Sequence, residues 1–132
     1  MKQSSRRDFL SIGAKLFLGG LAVTGLYMAV HIFPRPPKKV LVKGEELKNK
    51  NLYVAKDFFL VKQQDSWLAL WRRCPHLGCQ VNYDPRQEIF ICPCHQSRFT
   101  KSGQYIAGPA KKDLEVLAVS QKQGGLIVEL PG

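Results

Sequence analysis

At 132 residues, 45% hydrophobic and 23% charged, the chain has room for one modest globular domain once its N-terminal segment is set aside. Its formal charge of +10 invites a nucleic-acid reading, but residues 1–39 carry seven basic residues and one acid, leaving +4 on the remainder. With no basic helix and no aromatic stacking platform apart from the cysteine clusters, nucleic acid is not an expected partner.

The chain opens on Ser4 to Ser11, SSRRDFLS, where Phe9 and Leu10 follow Arg6 and Arg7. This resembles a bacterial twin-arginine (Tat) export signal. From Leu16 to Phe33, 18 residues carry no formal charge. At about 1.5 Å each they make a helix of about 27 Å, close to the thickness of a bilayer core. Charged flanks (Arg6, Arg7 and Lys15 before; Arg35, Lys38 and Lys39 after) favour a membrane helix over a buried core helix. The stretch ends Val30-His31-Ile32-Phe33-Pro34 without the small residues of a cleavage site, so an uncleaved anchor is expected. The twin-arginine signal orients it with the N-terminus inside and the bulk of the chain on the extracytoplasmic side of the cytoplasmic membrane.

Pro34 to Lys39, PRPPKK, favours extended polyproline conformation and breaks any arriving helix. Beyond it, short apolar runs alternate with turn residues. Phe58 to Lys62 and Trp67 to Arg72 flank Gln63 to Ser66; Val81 to Tyr83 and Ile89 to Cys92 flank Asp84 to Glu88; Leu114 to Val119 and Leu126 to Leu130 flank Gln121 to Gly125. Each pair reads as a hairpin. Only Glu45 to Asn49 offers a helical turn. The expected division is therefore 1–15 as signal and cytoplasmic N-terminus, 16–33 as transmembrane anchor, 34–46 as linker or neck, and 47–132 as an all-β head.

All four cysteines and two of the three histidines fall between Cys74 and His95, in the boxes CPHLGC (Cys74 to Cys79) and CPCHQS (Cys92 to Ser97). Two cysteines and two histidines suit a 2Fe-2S cluster with both imidazoles on one iron. Zinc also takes such a set, but has little use for a spare cysteine in each box. The boxes resemble those of the Rieske iron-sulfur proteins, specifically the branch found in quinol-oxidising cytochrome bc-type complexes.

That resemblance implies an all-β head of antiparallel sheets, with cluster-binding loops at one end, behind a single N-terminal transmembrane helix. It implies one 2Fe-2S cluster held by Cys74, His76, Cys92 and His95, and a Cys79–Cys94 disulfide between the loops. His95 is then the ligand that contacts quinol, with His76 beside it. Leu77 is an apolar tip residue against the quinol pocket, or else ordinary core. Gly78 permits a tight loop with backbone N–H groups aimed at cluster sulfurs. Ala107 to Lys112, with Gly108 and Pro109, resembles the loop that covers the cluster, although Lys111 and Lys112 stand where another proline is frequent. Ser97 matches the family's hydroxyl donor to a cluster sulfur. Phe99 stands where high-potential members carry a tyrosine, which implies a lower potential and menaquinol in preference to ubiquinol. Gln96 replaces a frequent glycine. Arg72, Arg73, Arg98, Lys101, Lys111 and Lys112 form either a basic collar or a scattered solvated face.

The partners implied are a cytochrome b subunit, a c-type cytochrome, quinol and the membrane. The family's head swings on its neck; the proline-rich spacer here either argues against a large swing or confines the hinge to Val40 to Glu46. Two other Rieske classes compete. The small subunits of arsenite-oxidising molybdoenzymes share the export signal, and the soluble ferredoxins of oxygenases lack both anchor and spare cysteines.

Overall fold

The structure is a computed structural model and describes residues 6–32 and 36–132. Ser4 and Ser5 of the export motif, and Phe33, Pro34 and Arg35 at the end of the expected anchor, lie outside them. The chain divides into two units, between Pro36 and Pro37.

The first unit is one helix, α1, Arg6–Ile32. It starts ten residues before the expected anchor, because no proline separates the motif from the apolar run and the intervening residues tolerate helix. Asp8–Ile32, 25 residues, is long and apolar enough to cross a membrane, with a length of about 37 Å against a hydrocarbon core of about 30 Å. Two of its hydroxyls are satisfied within the helix: Ser11 Oγ donates to the Asp8 carbonyl and Thr24 Oγ1 to that of Gly20, as an apolar surrounding requires.

The second unit is three antiparallel sheets. One joins β1 (Lys38–Lys43), β11 (Gly125–Leu130) and β10 (Val119–Lys122); the middle one orders β2 (Leu52–Val54), β3 (Phe58–Gln63), β4 (Ser66–Trp71) and β9 (Val116–Leu117); the third orders β5 (Asn82–Asp84), β6 (Ile89–Ile91), β7 (Arg98–Phe99) and β8 (Tyr105–Ala107). One short helix, α2 (Gly44–Leu47), follows β1.

β3 explains the layering. Successive side chains of a strand point to opposite faces, and four consecutive apolar residues bury both. Phe58 and Leu60 join a core with Ala69, Leu117, Val42 and Val128, whereas Phe59 and Val61 join a second core with Leu70, Phe90 and Phe99. Phe59 and Phe90 stack at 4.3 Å between centroids. Each of these rings contributes about 1.5–3 kcal/mol by leaving water. Cys74 and Cys92 belong to this second core, so both boxes are rooted in it.

Two expectations need correction. Residues 38–43, assigned to the neck, form β1 and pair with β11 from Lys38↔Leu130 to Lys43↔Gly125. Val40 and Val42 supply the buried alternation, and Gly125 lets the Val42 carbonyl come so close that a Cβ could not fit. A hinge over Val40 to Glu46 would break this ladder, so those residues belong to the head. Leu114 to Val119 is not one strand either. Leu114 is buried in the second core with its N–H on the Gly103 carbonyl, and β9 and β10 belong to different sheets.

Candidate metal centre

Box one follows β4 and box two follows β6, and the two close in the same way. Cys74 N–H donates to the Cys79 carbonyl and Gly78 N–H to that of Cys74, both at 2.8 Å. Cys92 N–H donates to the Ser97 carbonyl at 2.8 Å and Gln96 N–H to that of Cys92 at 3.0 Å. Both six-residue loops need a left-handed fifth residue, with φ +77° at Gly78 and +59° at Gln96. Glycine adopts this freely, whereas an L side chain is strained there. Gln96→Gly is therefore expected to stabilise the head by about 1 kcal/mol, read as a higher melting midpoint.

Cys74 and Cys92 are unbridged and each only 2% exposed. Burial pushes the Cys74 thiol above its ordinary pKa; a backbone hydrogen bond from His76 and the Ser97 hydroxyl work against that, and Cys92 is in contact with it. The Gly78 N–H, expected to aim at a cluster sulfur, is spent on the Cys74 carbonyl. The His76 and His95 rings meet edge to face at 4.9 Å. His76 Nδ1 is buried with no hydrogen-bond partner, a costly arrangement unless another acceptor for its lone pair is supplied.

Cys79 and Cys94 form a disulfide, with Cα atoms 6.5 Å apart. Cys92 Sγ lies within 4.8 Å of both bridge sulfurs. These three are no metal trio, because sulfurs bonded to each other are not thiolates.

Leu77 is 69% exposed, so it is surface and not core. Gly108 (φ +103°) and Pro109 are exposed, and Ala110 is buried against Ser97, whose Oγ accepts its N–H at 3.1 Å. Lys111 has φ +51°, a value closed to proline. Phe99 is wholly buried in the second core.

The basic collar loses two members. Arg72 turns inward, donating to the Ala55 and Val81 carbonyls and to Asn82 Oδ1 over the Phe59 ring. Lys101 pairs with Glu88 at 3.1 Å. Tyr105 and Asp113, which no motif singles out, brace the 105–113 loop. Tyr105 N–H donates to Asp113 Oδ1 at 2.7 Å and its hydroxyl to the Gly108 carbonyl at 2.6 Å.

The donor set fits a 2Fe-2S cluster. Two buried unbridged thiols and two adjoining imidazoles, one with an orphaned buried nitrogen, are what two cysteines and two histidines must offer to a pair of irons.

The family model described as Rieske [2Fe-2S] domain matches residues 35–118. The cytochrome b6-f complex iron-sulfur subunit of Chlorobaculum tepidum is 29% identical over 95% of this chain and 75% of its own length. Subunit 3 of the same name from Nostoc is 31% identical over 76% of this chain, which spans only 54% of that relative. The plasma membrane Rieske protein PetC3 from Synechocystis PCC 6803 superposes with a TM-score of 0.54 at 30% identity, covering 67% of this chain and 97% of its own. The matched span contains both boxes and the 107–112 loop, and on that ground the chain belongs to the Rieske iron-sulfur family and carries a 2Fe-2S cluster.

Proposed function

We propose that the chain is the membrane-anchored electron-carrying subunit of a bc-type complex, taking an electron from quinol, menaquinol in preference to ubiquinol, and passing it to a c-type cytochrome. Relatives named as cytochrome b6-f subunits support the complex, and together with them α1 supports a single-pass membrane protein. The twin-arginine pattern and the disulfide favour an extracytoplasmic head with the N-terminus inside.

Cys74, Cys92, His76 and His95 would hold the cluster, which when bound supplies a one-electron acceptor at about −150 to +300 mV. The observation that carries the reading is the exposed His95 ring lying against His76, whose Nδ1 is the buried nitrogen. Presented in the same sense, His95 Nε2 faces outward, accepts the hydrogen bond of a quinol hydroxyl and takes its proton. Exposure then lets that proton leave to water. Exposed Leu77 adds apolar surface at the tip, where a cytochrome b partner would close over quinol.

Redox titration of the full chain in detergent tests this. The midpoint is expected in the lower part of the range and to fall with rising pH, by up to about 59 mV per unit when one proton accompanies one electron. A pH-independent midpoint would remove the role of His95, and a midpoint near the top of the range would remove menaquinol. Purification with a molybdopterin subunit in place of a cytochrome b would favour the arsenite-oxidase class.

A further inference from the structure

The sheet of β1, β11 and β10 has two unlike faces. Residues directly paired across strands share a face. One face carries Val42, Leu126, Val128 and Leu130, all buried. The other carries Leu41, Ile127 and Ser120 in one row and Lys43, Gly125 and Lys122 in another. Leu41 is 58% exposed, although it is apolar. Farther along this face, Lys39 spends its charge on Glu129 at 3.1 Å. Lys43 and Lys122 are exposed and have no ion-pair partner among the described residues. They stand two strand spacings apart, about 10 Å, and Gly125 puts no side chain between them.

An exposed apolar row beside unpaired cations is the combination that binds anionic lipid surfaces. The chain also brings this face close to one. β1 begins six residues after Ile32, where the membrane-spanning length of α1 ends, and six residues reach at most about 20 Å. A tethered face meets the membrane at high effective concentration, so a weak attraction suffices. A row of two apolar residues falls short of the packed apolar centre of a stable protein interface, which favours lipid over a protein partner.

We propose that this outer face docks on the anionic phospholipid surface beside the anchor, with Lys43 and Lys122 on lipid phosphates and Leu41 and Ile127 against the boundary between headgroups and acyl chains. The inference rests on α1 spanning the membrane and is independent of the redox chemistry.

The test places the loaded full chain, with a fluorophore at Ser120→Cys, in nanodiscs whose lipids carry a headgroup quencher. The discs are phosphatidylcholine with or without phosphatidylglycerol. Cys74 and Cys92 are buried, and Cys79 and Cys94 are bridged, so the fluorophore is directed to position 120. A fluorophore at Gln87→Cys, on the exposed turn between β5 and β6, is the control. Quenching is expected at position 120 in the anionic discs, and it should fall away in neutral discs and at high salt. The ratio of docked to free head should drop about fivefold for each of Lys43→Gln and Lys122→Gln. No quenching in anionic discs, equal quenching in neutral ones, equal quenching at position 87, or indifference to both lysine changes overturns the proposal. Should a lysine variant melt below wild type, the salt series on the otherwise unaltered labelled chain decides, and salt-independent quenching overturns it. A chain that alkaline carbonate strips from membranes loses its anchor and this inference together. An anchored chain with the expected redox titration but no quenching loses this inference alone, and a docked chain with a pH-independent midpoint loses only the role of His95.

Discussion

Cys92→Ala is expected to yield a full-length chain that folds, purifies colourless and shows no rhombic reduced EPR signal, with iron falling from about two atoms per chain to none. Cys92 is 2% exposed and lies in the second core with Phe59, Phe90 and Phe99. Removing one sulfur there costs roughly 1 kcal/mol of packing, against a fold that two cores support. Alanine keeps the backbone that closes box two, because the bonds from Cys92 N–H and to its carbonyl are main-chain. Only the donor is lost. The measurement pairs iron analysis with a far-ultraviolet circular dichroism melt: a native-like melt without iron isolates ligation from folding. Full iron retention in a folded variant would sink the ligand assignment, and zinc in place of iron in the wild type would sink the cluster.

Much of the head is legible in the sequence where two signals coincide. Phe58 to Lys62 and Trp67 to Arg72 are apolar runs with turn residues between them, and β3 and β4 each fall within one residue of those limits. The boxes are legible because four cysteines and two histidines rarely fall so close together. β1 is obscured by Lys38, Lys39 and Lys43, whose side chains stand exposed while Val42 points inward; after a proline run, such a segment reads as a linker. Its partner, β11, supplies the missing half of the pattern, burying every second residue. β7 and β8 have two and three residues, too few for any periodicity.

The site divides along the same line. Residue types that bind metal announce themselves, but contacts between distant residues leave no spacing to read. Arg72, a cation beside a box, looks like surface until its guanidinium is seen serving two carbonyls and a side-chain oxygen. Tyr105 looks like an ordinary strand aromatic until its hydroxyl is found on Gly108. Gln96 lies between these cases: its departure from a frequent glycine is visible in the sequence, but its left-handed backbone is not.

Replacing both Cys79 and Cys94 by serine is expected to lower the stability of the cluster-free head by about 3 kcal/mol, the loop-closure entropy of a cross-link of this span. The bridged residues are 15 apart. For a head of residues 37–132, that corresponds to roughly 12–24 °C in melting midpoint. The loaded head should lose less, because ligands from both boxes on one cluster cross-link the same two loops. Its loss should appear instead as faster release of iron to a chelator, since the bridge joins the end of box one to the middle of box two and holds their spacing. Serine variants are the better instrument than reductant: Cys92 Sγ lies within 4.8 Å of both bridge sulfurs, and in a cluster-free chain its thiolate can attack one of them and release the other. Equal losses in the loaded and cluster-free forms would mean that the cluster does not tie the loops together. An unchanged melt of the cluster-free form would mean that the bridge adds nothing to the hairpin of β5 and β6, which already joins them. The expected ordering bears on export as well. On the proposed twin-arginine route, a head loaded in the reducing cytoplasm would hold its cluster before the disulfide exists, and the cluster would serve as the cross-link until an oxidising compartment supplies the second.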